Sequence, residues 1–305
     1  MGPVCRCPVT QSSRFYAMEY TEQEWFELSK RIARSVQTTV GWIFWDPGAV
    51  ARFETLGLPG PLGYIASRSA PFAGAGYGAL VAALGSISPT GIRFVVDFLK
   101  PEDFMKYWDA RNTAIREGLE THAPEILQVL VDFAPRLEEV VDHLPFAGRP
   151  FSASHLDISR SDDPVMRGWH AINIIREWRG DTHWGLVAEH NLSGAEASTL
   201  HNAWLRYDNE WLSRSRGIDD DAIRQAFIAL EDRGFASRGV VNDRGLAFRQ
   251  HLENETDRRC VLPWQLLGYE DTELLAERLE PPCEALLRRV DITAGERYQP
   301  ASRIR

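Results

Sequence analysis

Between Ile218 and Asp257 the chain reads IDDDAIRQAFIALEDRGFASRGVVNDRGLAFRQHLENETD. A helical run ends in ALEDRGF. A short two-stranded turn follows around SRGVVNDRG, and an amphipathic helix leaves it. Helix, two-stranded wing and exit helix in that order outline a winged helix, which admits few packings and demands helical neighbours.

In bacterial regulators the helix before such a wing enters the major groove, N-terminal residues first. Here that end carries Asp219, Asp220 and Asp221. From Gly217 to Cys260 nine acids face seven arginines, and the whole chain has a formal charge of -9. Phosphate contact relies on Lys and Arg, so both the local and the overall balance oppose it. The aspartates suit a helix N-terminus, where negative charge meets the helix dipole. The module is expected to serve packing or association, and DNA is not expected as a partner.

The rest of the 305-residue chain reads as helices. Thr21 and Glu24 form a capping box, Asp46 and Pro47 open a second helix that Gly57 closes, and further helices run through PEDFMKYWDARNTAIREGLETHA and APEILQVLVDFAPRLEEVVDHL. FAGRPFSASHLDISRSDDP reads as a connection. Three helices then run from Pro164, separated at Gly180 and at NLSG, and PWQLLGYEDTELLAERLEPPCEALLRRV closes the chain. The expectation is a mainly α protein: a tail over 1–18, a helical lobe over 19–150, and a second over 151–305 with the winged-helix unit at about 195–260. No apolar run is long enough to span a membrane, the N-terminus lacks a signal-peptide core, and Cys5, Cys7, Cys260 and Cys283 lack metal-site spacing. These features point to a cytoplasmic protein with free thiols and no metal or nucleotide cofactor.

Candidate chemistry concentrates in WHAINIIREWRGDTHW, Trp169 to Trp184. His170, Glu177 and Asp181 fall on one side of a helix, with His183 one turn into the next, so a general base and its orienting carboxylate can share a space. Arg176 and Arg179 can clamp an oxyanion. The competing reading makes Gly180 a helix end, Asp181 the next N-cap, and the arginines last-turn partners of the dipole. Arg68, set among small residues in YIASRSAPFAGAGYGAL, needs a partner or a ligand. GAGYG there lacks the spacing of a dinucleotide loop. Arg149 in FAGRPFSASHLD is a further anion contact, whereas Ser152, Ser154 and His155 lack the frame of a nucleophilic triad. His201 reads as a core histidine.

GYIASRSAPFAGAG, AGRPFSASH, GWHAINIIREWRGDTHWGLVAEHNLSGAEA and ALEDRGFASRGVVNDRGLAFRQHLENETD together resemble an actinobacterial family described as helix-turn-helix, over about Trp25 to Leu267. In that family a His commonly follows the Arg-Glu pair, where this chain has Trp178, which implies a pocket reshaped for an aromatic contact. A looser similarity, carried by no motif, runs to cofactor-free enzymes that close aziridine rings by sulfate elimination in azinomycin-type biosynthesis. The resulting expectation is a cofactor-independent enzyme of specialised metabolism acting on an anionic small molecule. Arg68, Arg149, Arg176, Arg179 and Trp178 would bind the substrate, and His170, Glu177, Asp181 or His183 would move a proton. The alternatives are a ligand-responsive DNA-binding regulator, or a ligand-binding or partner subunit in a homo- or hetero-oligomer.

Overall fold

Thr21 opens the helical body: its hydroxyl accepts the Glu24 amide at 3.2 Å, and the Glu24 carboxylate accepts the Thr21 amide at 2.6 Å. The computed structural model describes residues 20–295, so the expected tail over 1–18, with Cys5 and Cys7, lies outside the described residues. From that cap runs α1 (Glu22–Gly41), then α2 (Pro47–Thr55), capped by Asp46 with Pro47 in its first turn. Next come α3 (Gly60–Ser69), α4 (Tyr77–Ala83), α5 (Pro89–Phe98), α6 (Phe104–His122) and α7 (Glu125–His143). The connection after α7 is partly helical, with α8 at Pro150–Ala153.

The central element is α9 (Pro164–Glu189). It packs on α7, α1 and α8, and it is buried around its circumference from Val165 to Arg179, as a helix in the middle of a bundle must be. Trp169, Ile172, Ile175 and Trp178 are each at most 2% exposed, and burial of each contributes about 2 to 3 kcal/mol. Gly168 makes the α7 contact possible: a Cβ there would stand 2.2 Å from the Leu130 carbonyl oxygen.

The expected break at Gly180 does not occur. α9 runs through it, so Asp181 is no N-cap and Arg176 and Arg179 sit in no last turn. A mid-helix glycine costs about 1 kcal/mol, which the tertiary packing of both halves of α9 outweighs.

Beyond α9 come α10 (Gly194–Leu205), α11 (Trp211–Ser215) and α12 (Asp220–Asp232), then the wing, β1 (Ala236–Ser237) antiparallel to β2 (Val240–Val241), and α13 (Asp243–Arg259). The wing turns on Arg238 and Gly239, whose φ values of 52° and 71° are both positive, as a two-residue hairpin loop requires. α14 (Leu262–Leu267) and α15 (Tyr269–Ala294) return to pack on α7 and α1. The fold is mainly α with one small wing.

The main core joins α1, α6, α7 and α9 with α14 and α15, whereas Leu186, Leu200, Leu230, Ala236 and Leu252 form a separate core inside the winged helix. These two clusters divide within α9 and again after α13. Burial pushes the Cys260 and Cys283 thiols up to about 12, and both are free. Among the described residues no helix is long and apolar enough to cross a membrane.

Candidate functional site

Because α9 continues past Gly180, Arg176, Arg179 and His183 follow one another at i, i+3 and i+7 along one face. That face meets Arg68 from α3, Ser198 and His201 from α10, and Arg249 and Glu253 from α13, with Arg216 joining from the turn between α11 and α12. Together they line a cavity of about 120 Å³ between the main core and the winged helix. Five arginines border it, and Glu253 is the single acid among its lining residues.

The carboxylates sit behind the arginines. Arg68 donates Nε to Glu177 Oε1 at 3.1 Å and Nη2 to Oε2 at 2.8 Å, and Arg176 also donates to Oε1. Arg176 Nε reaches Gln37 Oε1 at 2.9 Å. On the far wall Arg179 donates to Glu253 at 2.5 Å and to Asp257 at 3.1 Å, and Arg249 donates to the other Glu253 oxygen at 2.6 Å. The side chains of Arg68, Arg176 and Arg179 remain 13%, 14% and 10% exposed, against 2%, 1% and 0% for Glu177, Glu253 and Asp257. Solvent in the cavity therefore meets guanidinium edges and almost no carboxylate. Burial alone would raise the Glu177 carboxyl, but Arg176 and Arg68 hold it down to about 2.

His183 Nδ1 lies 3.0 Å from Thr256 Oγ1, whose proton is committed to the Leu252 carbonyl. Thr256 must then accept, so the network assigns the proton to His183 Nδ1 and leaves Nε2 with its lone pair. Burial, then Arg249, lowers this imidazole to about 3, and His201 is lowered well below its ordinary value for the same reasons. The cavity wall also holds unspent polar atoms: Arg179 Nε, Arg249 Nη1, His201 Nε2 and Ser198 Oγ are buried without a hydrogen-bond partner. A second cavity of about 140 Å³ shares Arg68, Ser86, Arg176 and Arg216 with the first, and its other walls are largely apolar, with Phe44, Leu62, Tyr64 and Ile65.

The residues expected from the sequence distribute unevenly. Arg68, Arg176, Arg179 and His183 meet at the cleft, and Glu177 holds the first two in place. His170 shares a face of α9 with Glu177, about two turns away, but lines another cavity. Its Nε2 contacts His155 Nδ1 at 3.3 Å, beside a different cavity. Burial, then Arg111, lowers His170 to about 4. Asp181 accepts the Ser152 amide at 2.8 Å, and burial raises its carboxyl to about 6. Arg149 stacks on Trp178 with its guanidinium carbon 3.8 Å from the ring centroid, and its Nε reaches Thr182 Oγ1. Trp178 is 1% exposed and spends its indole N–H on the Pro145 carbonyl, so it fills the core and does not line the cleft. Ser152 donates its hydroxyl to the Ile174 carbonyl, which removes it as a nucleophile.

Sequence reasoning missed Arg216, Arg249 and Ser198, and placed His201 in the core. Arg249, Glu253 and Asp257 repeat every four residues along α13, a legible stripe of charge. Arg249 is 2% exposed, however, so an arginine counted toward a DNA-facing surface in fact faces inward.

A family profile covers this whole arrangement: it is that of a helix-turn-helix family, and it matches residues 29–293, body and winged helix together. The chain belongs to that helix-turn-helix family. No curated protein and no solved structure matches it, and the similarity to aziridine-forming enzymes gains no support.

Before the wing, α11, a turn through Gly217 and α12 follow in helix, turn and helix order, and α12 packs on α10. On the outward face of α12 stand Asp220, Asp221, Arg224, Gln225, Ile228, Glu231 and Asp232. Arg224 pairs with Asp221, and Arg214 of α11 pairs with Asp220. Arg233 is held by Glu196 at 3.0 Å and by the carbonyls of His190 and Asn191. The helix that such families present to DNA here offers an acidic surface with its arginines already paired.

Proposed function

We propose that this helix-turn-helix family member binds a small anionic molecule in the arginine-lined cleft between its main core and its winged helix. The observation that carries the proposal is the asymmetry of exposure. Guanidinium edges of Arg68, Arg176 and Arg179 reach the cavity, while Glu177, Glu253 and Asp257 that hold them are sealed behind. Guanidinium forks match the oxygens of carboxylates, sulfates and phosphates, and the low local dielectric strengthens each contact. Because the walls belong to two separate cores, an anion bound there couples the placement of one to the other.

Two uses of such a site follow. Membership of a helix-turn-helix family favours a ligand-responsive regulator, although the paired arginines and aspartates of α12 oppose contact with a phosphate backbone. His183 brings a neutral imidazole beside several guanidiniums, the arrangement that catalysis without a cofactor needs, but burial and Arg249 hold it down to about 3, which makes it a weak base and leaves ligand binding the better supported use.

Thermal unfolding in the presence of a panel of anionic metabolites tests the proposal. Stabilisation by one class, reduced in Arg176→Ala, is the expected result, and no stabilisation by any member contradicts it. Retention of duplex DNA at low salt, or turnover of the stabilising compound that is lost in His183→Ala, assigns the use.

A further inference from the structure

The second cavity bears on what kind of anion the cleft takes. The two cavities share Arg68, Ser86, Arg176 and Arg216 in their walls, so a molecule whose charged end lies among these arginines lies beside both chambers. Its inner walls carry Phe44, Leu62, Tyr64, Ile65 and Ile87, none of them charged. At about 140 Å³ it is close to the roughly 150 Å³ apolar cavity that is known to accept a benzene ring. The first chamber presents the exposed guanidinium edges of Arg68, Arg176 and Arg179, whose charge an anionic group matches and an apolar group does not.

We infer that the ligand is amphiphilic: an oxyanion head held in the arginine chamber, joined to an apolar group of about one six-membered ring that occupies the second chamber. The inference rests on the anion-binding reading above and adds the class of the molecule. Selectivity then has two parts, charge recognised at one end and ring-sized bulk at the other, with Arg68 and Arg176 at the boundary between them.

Gly91 provides a clean probe. It lies in α5 against the second chamber, and a Cβ there would meet Ile65 Cδ1 at an ordinary 3.5 Å, so Gly91→Leu extends a side chain into the apolar chamber while leaving the arginines untouched. Calorimetric titration of the full chain with inorganic phosphate and with phenyl phosphate separates the parts. Burying a ring in an apolar chamber is expected to make phenyl phosphate bind about 30-fold more tightly than inorganic phosphate. In Gly91→Leu that advantage is expected to vanish, with phosphate affinity within about threefold of the unsubstituted protein, which also shows that the variant is folded. Equal affinity for the two compounds in the unsubstituted protein overturns the inference and leaves the anion site standing. An advantage that survives Gly91→Leu places the ring elsewhere and also overturns it. Failure of both compounds to bind removes the anion-binding reading and the inference with it.

Discussion

The Glu177 carboxyl sits beneath two guanidiniums, and its charge keeps Arg68 and Arg176 side by side at the mouth of the cleft. Removing one member of a buried ionic group leaves the others uncompensated, at a cost of about 3 to 5 kcal/mol. Glu177→Gln is therefore expected to lower the urea unfolding free energy by about that amount at pH 7. A loss below about 1 kcal/mol would mean that the arginines do not depend on it. The folded Glu177 carboxyl is depressed to about 2, so its contribution is complete above its ordinary value of 4.5 and disappears as the pH falls toward 2. Asp181 has the opposite sign. Burial lifts its folded value from 3.8 to about 6, so ionisation weakens the fold above pH 6 and the penalty fades as the pH falls toward 4. Asp181→Asn keeps an oxygen to accept the Ser152 amide. It should melt higher than the unsubstituted protein at pH 8, with the difference closing near pH 4. A lower melting point at pH 8 would show that the charged form is the one the site favours.

At the scale of elements, α9 decides how the cleft is built. Two of its glycines make opposite predictions. Gly168→Ala drives a Cβ to 2.2 Å from the Leu130 carbonyl and is expected to destabilise by about 2 kcal/mol or more, because neither backbone can give way cheaply. Gly180→Ala meets only Glu177 Oε2 at 3.5 Å and is expected to stabilise by about 0.5 to 1 kcal/mol. Destabilisation by Gly180→Ala, measured in urea without ligand, would contradict a continuous helix at that point.

Gly180 also shows where sequence reading stops. Caps at Thr21 and Asp46, the wing at Arg238 and Gly239, and the exit helix after Asn242 are local signals, and they were legible. Gly180 followed by Asp181 carries the same local signal for a helix end, yet tertiary packing overrides it. The arginines divide on the same ground. Arg68, among small residues, announced its need for a partner, whereas the inward turn of Arg249 depends on how α13 packs against α9 and α10. His170 and Glu177 share a face in projection, but each takes its partners from different neighbouring elements, His155 for one and Arg68 for the other. An acidic α12 was legible from composition. The pairing that neutralises Arg224 and Arg233 was not.

For the whole molecule, burial lowers His122 and, more strongly, four other histidines: His155 and His201 well below the ordinary value, His170 to about 4 and His183 to about 3. Each of these four is neutral in the fold and takes up a proton on unfolding below its ordinary value of 6.5, so their stabilising effect is intact above pH 6.5 and is lost on acidification. Asp181 offsets one of these protons, which leaves a dependence approaching about 4 kcal/mol per pH unit near pH 5. Urea midpoints that stay flat between pH 6.5 and 4.5 would contradict the burial of these rings.

The cleft lies where the main core and the winged helix face one another, and an anion bound there is the central claim. Selenate reports its own position through anomalous scattering, so a crystal grown with selenate locates an oxyanion without assumption about the natural ligand. The expected result is an anomalous peak within hydrogen-bond distance of Arg68, Arg176 or Arg179, absent from crystals of Arg176→Ala grown in the same way. Peaks confined to the outer surface, with the cleft holding only water, would contradict it.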